Sequence, residues 1–156
     1  MTIEITQEKV QKALSLAPKE MQPVLEALFG SNVKAKPITE RVKTFEDIEA
    51  ISGVKLTQRS DETDDEFAYR QAKLIAQVYN EGMMLDVANT NEYKYYPWFK
   101  ITEDKLHPSG VGLSYDDYAG WRACTDFGVR LCFKDAQLAI DAGQKFPHIY
   151  CKFLIH

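Results

Sequence analysis

The side chains that could bind a metal ion are few and poorly spaced. His148 and Cys151 lie one helical turn apart near the C-terminus, and Cys124 and Cys132 precede them. Structural zinc requires four ligands in a tetrahedral arrangement, and the chain has no C-x-x-C or H-x-x-x-H half-site. His148 shares a polar helical stripe with lysines, which favours an ordinary surface histidine. The odd number of cysteines favours reduced thiols. Because no half-site is present, we predict no metal, and we predict no cofactor.

Covalent and acid–base catalysis have only weak candidates. Cys124 or Cys132 could act as a nucleophile with His107, but no local motif such as G-x-S-x-G accompanies them. Carboxylates that could serve acid–base or metal chemistry lie at Asp116, Asp117 and Asp126. An Asp-rich loop is more often simply a loop, and no phosphate-binding glycine motif is present. We therefore favour a protein that is not an enzyme, with a small enzyme using this loop as an alternative.

The aromatic run Tyr93–Ile101 offers the strongest candidate for binding, since five of its first seven residues are aromatic. Strand alternation places aromatic and cationic side chains on one sheet face, and a nearby loop adds a tryptophan; these residues are Tyr96, Trp98, Lys100, Arg130, Lys134 and Trp121. Such a face can stack bases and neutralise phosphates. The opposing interpretation is that N-terminal helices cover it and bury Trp98. We favour the covered face, which leaves single-stranded nucleic-acid binding as the runner-up.

Helices must hold this run in place, and two carry capping boxes. Thr44 and Asp47 begin a short helix that ends at Gly53, and Thr63 with Glu66 begins the best-marked helix, Asp64 to about Glu81. Two shorter amphipathic helices precede them, from Thr6 to about Leu16 and around Met21, Val24, Leu25 and Leu28, with a stop at Gly30. These short helices should pack against each other or onto something larger.

Three strands follow, where the hydrophobic period changes to two. They are Tyr95–Ile101, Val111–Tyr115 and Val129–Lys134, with a loop between the last two. Pro97 cannot donate to a ladder and marks an edge strand or a bulge. A final helix runs from Asp135 to about Leu154, with a kink expected at Pro147. The predicted core of this half is Phe99, Leu113, Leu131, Phe133 and Phe146.

The predicted fold class is therefore α+β. A three-stranded antiparallel sheet carries the C-terminal helix on one face, and an N-terminal group of helices completes the fold. Its length of 156 residues fits a single domain, with a helical region 1–58 followed by 59–156. The oligomeric state is not predicted.

Charge is divided unevenly along the chain. Residues 1–92 carry 11 Lys/Arg and 16 Asp/Glu (net −5), and residues 93–156 carry 8 and 7 (net +1). This balance argues against general polyanion binding by the whole surface. No apolar run approaches the roughly 20 residues of a membrane span, and the N-terminus lacks the features of a signal peptide. We expect a cytoplasmic protein without a membrane partner.

Four strings give a resemblance to known sequences: Thr39–Asp47, Asn80–Gly82, Asn91–Phe99 and Arg130–Lys134. Together they resemble a family of small uncharacterised proteins encoded in Bacteroides-type bacteria and their prophages. The resemblance covers roughly Ile38 to the C-terminus and implies no reaction or ligand. We therefore expect a non-enzymatic protein-interaction or structural protein of phage or mobile-element origin, with an unidentified protein partner.

Overall fold

The computed structural model describes residues 9–10, 13–14, 17–18, 20–29, 36–103, 111–122 and 128–155. The chain divides into two compact units, Met1–Lys55 and Leu56–His156. The first unit is helical in its described part, and the second contains helices and a β-hairpin. Their union into one domain stays a prediction.

Helices make up the described part of the first unit: α1 (Gln22–Phe29), α2 (Ile38–Arg41) and α3 (Phe45–Ser52). The predicted capping box of α3 is confirmed, because the Thr44 N–H donates to the Asp47 carboxylate at 3.0 Å. Gly53 ends α3 in the left-handed conformation, with φ of 68°, that glycine adopts at little cost.

The described residues of the N-terminal unit show a contact between α1 and the segment before it. Leu25 of α1 packs against the buried Val10 and Leu14, which are helical residues of the preceding segment. The other apolar residues of the predicted face are exposed: Met21, Val24 and Leu28. The expected cap Thr6 and stop Gly30 lie outside the described residues.

The second unit begins with helix α4 (Asp64–Tyr79), whose predicted capping box is also confirmed. The Thr63 N–H donates to the Glu66 carboxylate at 3.0 Å. The helix ends close to the predicted position, at the C-cap Asn80. Gly82 follows with a φ of 76°, so the chain turns where a glycine permits it.

A two-stranded antiparallel hairpin follows, formed by β1 (Lys94–Glu103) and β2 (Val111–Trp121). Between Trp98 and Phe99 the register shifts, because Trp98 pairs with Asp117 and Phe99 with Tyr115. The bulge expected around Pro97 is therefore present one residue later. The predicted loop after Tyr115 is wrong, since β2 continues through Trp121.

The predicted third strand, Val129–Lys134, is also wrong, and the sheet described has two strands. Val129–Leu131 forms a 3-10 helix, and only Phe133 bridges to β1. The N–H groups of Tyr95 and Phe133 donate to each other's carbonyl at 3.0 and 2.7 Å. On the other side of Phe133 the Asn80 side chain takes the place of a strand. A longer ladder is prevented because the 3-10 turn uses the preceding donors within its own loop.

The C-terminal helix is interrupted, as the position of Pro147 predicts. α5 (Ala136–Lys145) begins at Asp135, whose carboxylate accepts the Gln137 N–H at 2.7 Å. Phe146 leaves the helical conformation, and α6 (Pro147–Ile155) starts at the proline, which is well tolerated in a first turn. α5 packs on both strands, and α6 packs on β2 and α4.

Aromatic rings form the centre of the second unit. Tyr79 makes edge-on contacts with Phe133 and Phe146, at centroid distances of 5.8 and 6.5 Å. Leu131, Phe133 and Phe146 are buried, as predicted. Phe99 is only half-buried, and its ring lies 5.2 Å from that of Tyr150. The Leu113 side chain lies outside the described residues. Among the described helices none has the length and apolar character to span a membrane.

Candidate functional site

Two of the six predicted surface residues are buried in the core of the second unit. Tyr96 and Trp121 are buried and pack with Cys132 in one apolar cluster. The two side chains share a face because Tyr96 pairs with Ala119, two residues before Trp121 on β2. Neither ring is therefore accessible for stacking on a ligand.

Trp98 and Lys100 are exposed on the same side of β1. The Trp98 side chain is 49% exposed, so the expectation that helices cover it is wrong. Its ring contacts that of Tyr96 at a centroid distance of 6.4 Å, and Asp117 stands opposite it on β2. The exposed indole is thus held by an aromatic neighbour and faces a carboxylate-bearing strand.

Arg130 and Lys134 do not lie on a strand and do not extend this face. Arg130 is exposed in the 3-10 helix. The Lys134 ammonium pairs with the Glu81 carboxylate at 3.3 Å, and both side chains are partly buried. The predicted aromatic and basic face therefore reduces to Trp98 and Lys100, with Arg130 at a separate position.

A further cation of the hairpin, Lys94, is buried and bonded to backbone groups. Lys94 is fully buried, and its ammonium donates to the carbonyls of Asn89 and Glu92. The ammonium also lies 5.6 Å from the centroid of the Trp121 ring, a cation–π distance. Lys94 thus fixes the turn before β1 and contributes no charge to the surface.

Cys132 has the environment of a structural thiol. It is fully buried, and burial raises its pKa to about 11, against weaker lowering effects of the Trp121 indole and the Lys94 charge. A thiol with a raised pKa is a poor nucleophile at neutral pH. The other predicted nucleophile and its base, Cys124 and His107, lie outside the described residues.

The remaining candidates for metal or acid–base chemistry are Asp116, Asp117, Asp126 and His148. Asp116 and Asp117 are exposed on β2, and Asp126 lies outside the described residues. His148 is exposed at the start of α6, where partial burial and the Lys152 charge lower its pKa. Within the part of the chain that the structure describes, no three His, Cys, Asp or Glu side chains are placed to share a metal ion.

Sequence reasoning missed a second aromatic group, which we call the tyrosine ladder: Tyr93, Tyr95 and Tyr118 with Arg122. The Tyr93 and Tyr95 rings are stacked at 5.8 Å, and Tyr118 meets Tyr95 edge-on at the same centroid distance. The Arg122 guanidinium lies 4.7 Å from the centroid of the Tyr93 ring. Tyr93 is 47% and Tyr118 is 40% exposed, so the ladder forms an accessible surface of the hairpin.

Gly120 makes this arrangement possible. It stands directly opposite Tyr95 across the two strands. A Cβ at this position would lie 3.1 Å from Cδ1 of Tyr95 and 3.4 Å from Cδ1 of Tyr93. The rings therefore lie over the glycine backbone, an arrangement in which an aromatic residue covers a glycine of the neighbouring strand.

A signal for the ladder exists in the sequence. Tyr93 and Tyr95 share a strand face, and Tyr118, Gly120 and Arg122 alternate in the same way on the other strand. The prediction of β2 ended at Tyr115 and assigned this second set to a loop.

The chain matches no protein-family model, no curated protein and no solved structure. Interpretation of the site therefore rests on its own geometry.

Proposed function

We propose that this protein acts without catalysis, by binding another protein through the β1–β2 hairpin. The observation that carries the proposal is the exposure of Trp98, Tyr93 and Tyr118 on one hairpin, together with Arg122. Tryptophan, tyrosine and arginine are the residue types enriched at protein interfaces and at the positions that dominate their binding energy.

The anchoring of the hairpin also supports this function. An isolated two-stranded hairpin is marginal in water, but here α5 packs on both strands and Phe133 bridges to Tyr95. Each exposed ring contacts a more buried one: Tyr93 and Tyr118 contact Tyr95, and Trp98 contacts Tyr96. Side chains that are ordered before binding lose less conformational entropy on association, which favours affinity.

Charge on the hairpin suits a protein partner better than a polyanion. The exposed carboxylates of Asp116 and Asp117 accompany the exposed cations of Lys100 and Arg122. A mixed distribution of this kind gives register and specificity in protein contacts. It provides little of the counterion release that drives binding to nucleic acids.

Single-stranded nucleic-acid binding is the second candidate. The observation in its favour is the placement of Trp98 and Lys100 on the same face of β1, where a base could stack beside a neutralised phosphate. The burial of Tyr96 and Trp121 and the pairing of Lys134 with Glu81 weaken it.

Cytoplasmic localisation and a phage or mobile-element origin complete the proposal. The free thiols of Cys132 and Cys151 support a reducing compartment. The four family-like strings support the origin, which stays a prediction because no relative was matched.

Site-specific photo-crosslinking in cells that naturally express the gene tests the proposed function. A benzophenone amino acid replaces Trp98 or Tyr118, and a matched control carries it at Tyr69, which is 37% exposed on α4. We expect discrete protein adducts from the two hairpin positions and not from position 69. Equal adducts from all three positions, or none, would refute the proposal. Adducts with RNA or DNA would establish the second candidate instead.

A further inference from the structure

We propose that the outer edge of β2, between Asp117 and Trp121, binds an extended segment of the partner protein. This segment adds to the hairpin as a further strand and carries a lysine or arginine beside Asp117. The inference rests on the proposed function, because it specifies how the same hairpin holds its partner. When a strand adds to an exposed sheet edge, main-chain hydrogen bonds provide affinity and the alternate side chains provide specificity.

The register of the hairpin shows which backbone groups of β2 point away from β1. Tyr95 exchanges both of its backbone hydrogen bonds with Phe133, so its N–H and C=O point away from β2. Directly opposite residues of an antiparallel pair either bond to each other or both turn outward, and the two kinds alternate along the strands. Gly120, which lies opposite Tyr95, and Tyr118, two residues earlier, therefore turn their backbone groups to the outer edge of β2.

These outward groups are accessible to another chain. Gly120 is exposed, and because a glycine has no side chain, its exposed surface is main chain. Among the described residues, the N–H and C=O of Gly120 have no hydrogen-bond partner. The Tyr118 N–H donates to the carboxylate of its own neighbour, Asp117, at 2.9 Å. A row of N–H and C=O groups that no strand has paired is a template for an additional strand.

The outer edge of β1 is less suited to the same use. Phe133 already takes up the backbone groups of Tyr95. The next outward residue of β1 is Pro97, which is buried and has no N–H to donate. An incoming strand is therefore directed to β2.

Asp117 specifies one side chain of the incoming strand. Its carboxylate lies at the outer edge, because it reaches the outward N–H of Tyr118. A lysine or arginine opposite Asp117 would form a cross-strand pair of opposite charge, whereas an acidic residue would be repelled. β2 itself contains no lysine or arginine, so a second copy of this strand lacks the complementary charge. The charge therefore favours a strand of another protein.

A peptide titration against the full chain tests the proposal. The labelled peptides are about seven residues long, a common strand length, and alternate threonine with valine, with one lysine at each position in turn. We expect binding in fluorescence polarisation, with a preference for one lysine position. Asp117→Asn keeps the oxygen that accepts the Tyr118 N–H and should reduce this preference by up to about fivefold. The matched variant Asp61→Asn removes an exposed carboxylate before α4 and should leave the preference unchanged.

Methylation of the peptide amides distinguishes strand addition from other modes of binding. A strand on this edge uses the N–H groups of alternate residues only. N-methylation of one alternating set should therefore weaken binding at least about tenfold, while N-methylation of the other set should not. Equal effects of the two sets would overturn the proposal, as would the absence of binding by every peptide.

Hydrogen exchange of the unmodified protein gives a readout that needs no variant. In the free protein the Gly120 amide should exchange faster than that of Ala119, which is turned towards β1. Bound peptide should raise protection at Gly120 and Tyr118 and leave Ala119 unchanged. Unchanged protection at Gly120 would overturn the proposal. Protection that rises with protein concentration alone would assign the edge to a second copy and would also overturn it.

The two proposals can fail separately. Hairpin crosslinks to protein in cells, together with a failed peptide titration, would overturn this inference and leave the proposed function in place. Peptide binding with the alternating protection pattern, but without crosslinks from the hairpin in cells, would support the strand-accepting edge and overturn the proposed function.

Discussion

Replacing Asn80 with alanine should remove the contact that holds the Phe133 segment in place. The side chain is 4% exposed and makes two hydrogen bonds of 2.9 Å. Its Nδ2 donates to the Cys132 carbonyl, and its Oδ1 accepts the Lys134 N–H. Alanine offers neither group, so one backbone acceptor and one backbone donor lose their partners together.

The expected loss of unfolding free energy is about 2–4 kcal/mol. A buried backbone group left without a partner costs roughly 1–3 kcal/mol. The Cys132 residue is fully buried and takes the full penalty, while Lys134 is partly exposed and water can reach its N–H at a lower cost. The total cost for the two backbone groups is therefore smaller than twice the upper value for a single group. Urea unfolding followed by tryptophan fluorescence measures this difference.

Two controls distinguish this reasoning from a general weakening of α4. Gln77→Ala changes an exposed residue one turn earlier on the same helix and should alter stability by less than about 0.5 kcal/mol. In the Asn80 variant the Lys134 amide should lose hydrogen-exchange protection before that of Phe133, which remains bonded to the Tyr95 carbonyl at 2.7 Å. A loss below about 1 kcal/mol with an unchanged Lys134 amide would show that Asn80 is not the anchor.

Three further predictions concern stability. Phe133→Ala should cost about 3–5 kcal/mol in urea unfolding, because the ring is fully buried against Tyr79; a loss near zero would contradict the core assignment. Trp98→Ala should cost less than about 1 kcal/mol in the same assay, since half the side chain is already in solvent. The Arg70 hydrogen bond lowers the pKa of Glu62 from 4.5, so this carboxylate stabilises the fold above that pH and the effect is lost as pH falls through the lowered pKa. Glu62→Gln should therefore flatten the melting temperature against pH in the acidic range, and an unchanged slope would refute the assignment.

The helices could be predicted from the sequence because their signals are local. Capping boxes at Thr44 and Thr63 and the turn glycines Gly53 and Gly82 act within a few residues, and the structure places helix ends at or next to them. The interruption at Pro147 is equally local, because a proline removes one helical donor and clashes with the preceding turn. None of these features depends on a distant partner.

The absence of a third strand could not be predicted from the sequence, because it depends on a side chain far away in the chain. Val129, Leu131 and Phe133 alternate as a strand would, but Asn80, the C-cap of α4, competes for the backbone. On one side of Phe133, the Asn80 amide makes the hydrogen bonds that a neighbouring strand would make. On the other side, Tyr95 bridges to Phe133. Period-two alternation cannot distinguish a ladder from a single bridge flanked by a 3-10 turn.

The burial of the predicted surface residues could be predicted only in part. Alternation correctly grouped Tyr96 with Trp98, yet one is buried and the other is half exposed. The difference arises because Tyr96 packs in a cluster with Trp121 and Cys132, whereas Trp98 lies at the border of that cluster against the Tyr96 ring. Burial therefore changes along a single strand face. Exposure along β1 therefore depends on how far the packed cluster extends. The alternation of residues along the strand carries no information about that.

The hairpin contains two cation–aromatic pairs, one buried and one exposed, that serve different purposes. Where Lys94 lies against Trp121, the ammonium is buried and donates to two carbonyls. It is therefore inaccessible to a ligand. Where Arg122 lies against Tyr93, the same type of pair is exposed, and Gly120 opposite Tyr95 leaves room for the two tyrosine rings over its backbone. The buried pair fixes the start of β1, which in turn fixes the spacing of Tyr93 and Tyr95. A binding surface built on a two-stranded hairpin needs such an internal anchor, because the strands alone would not hold the rings in register.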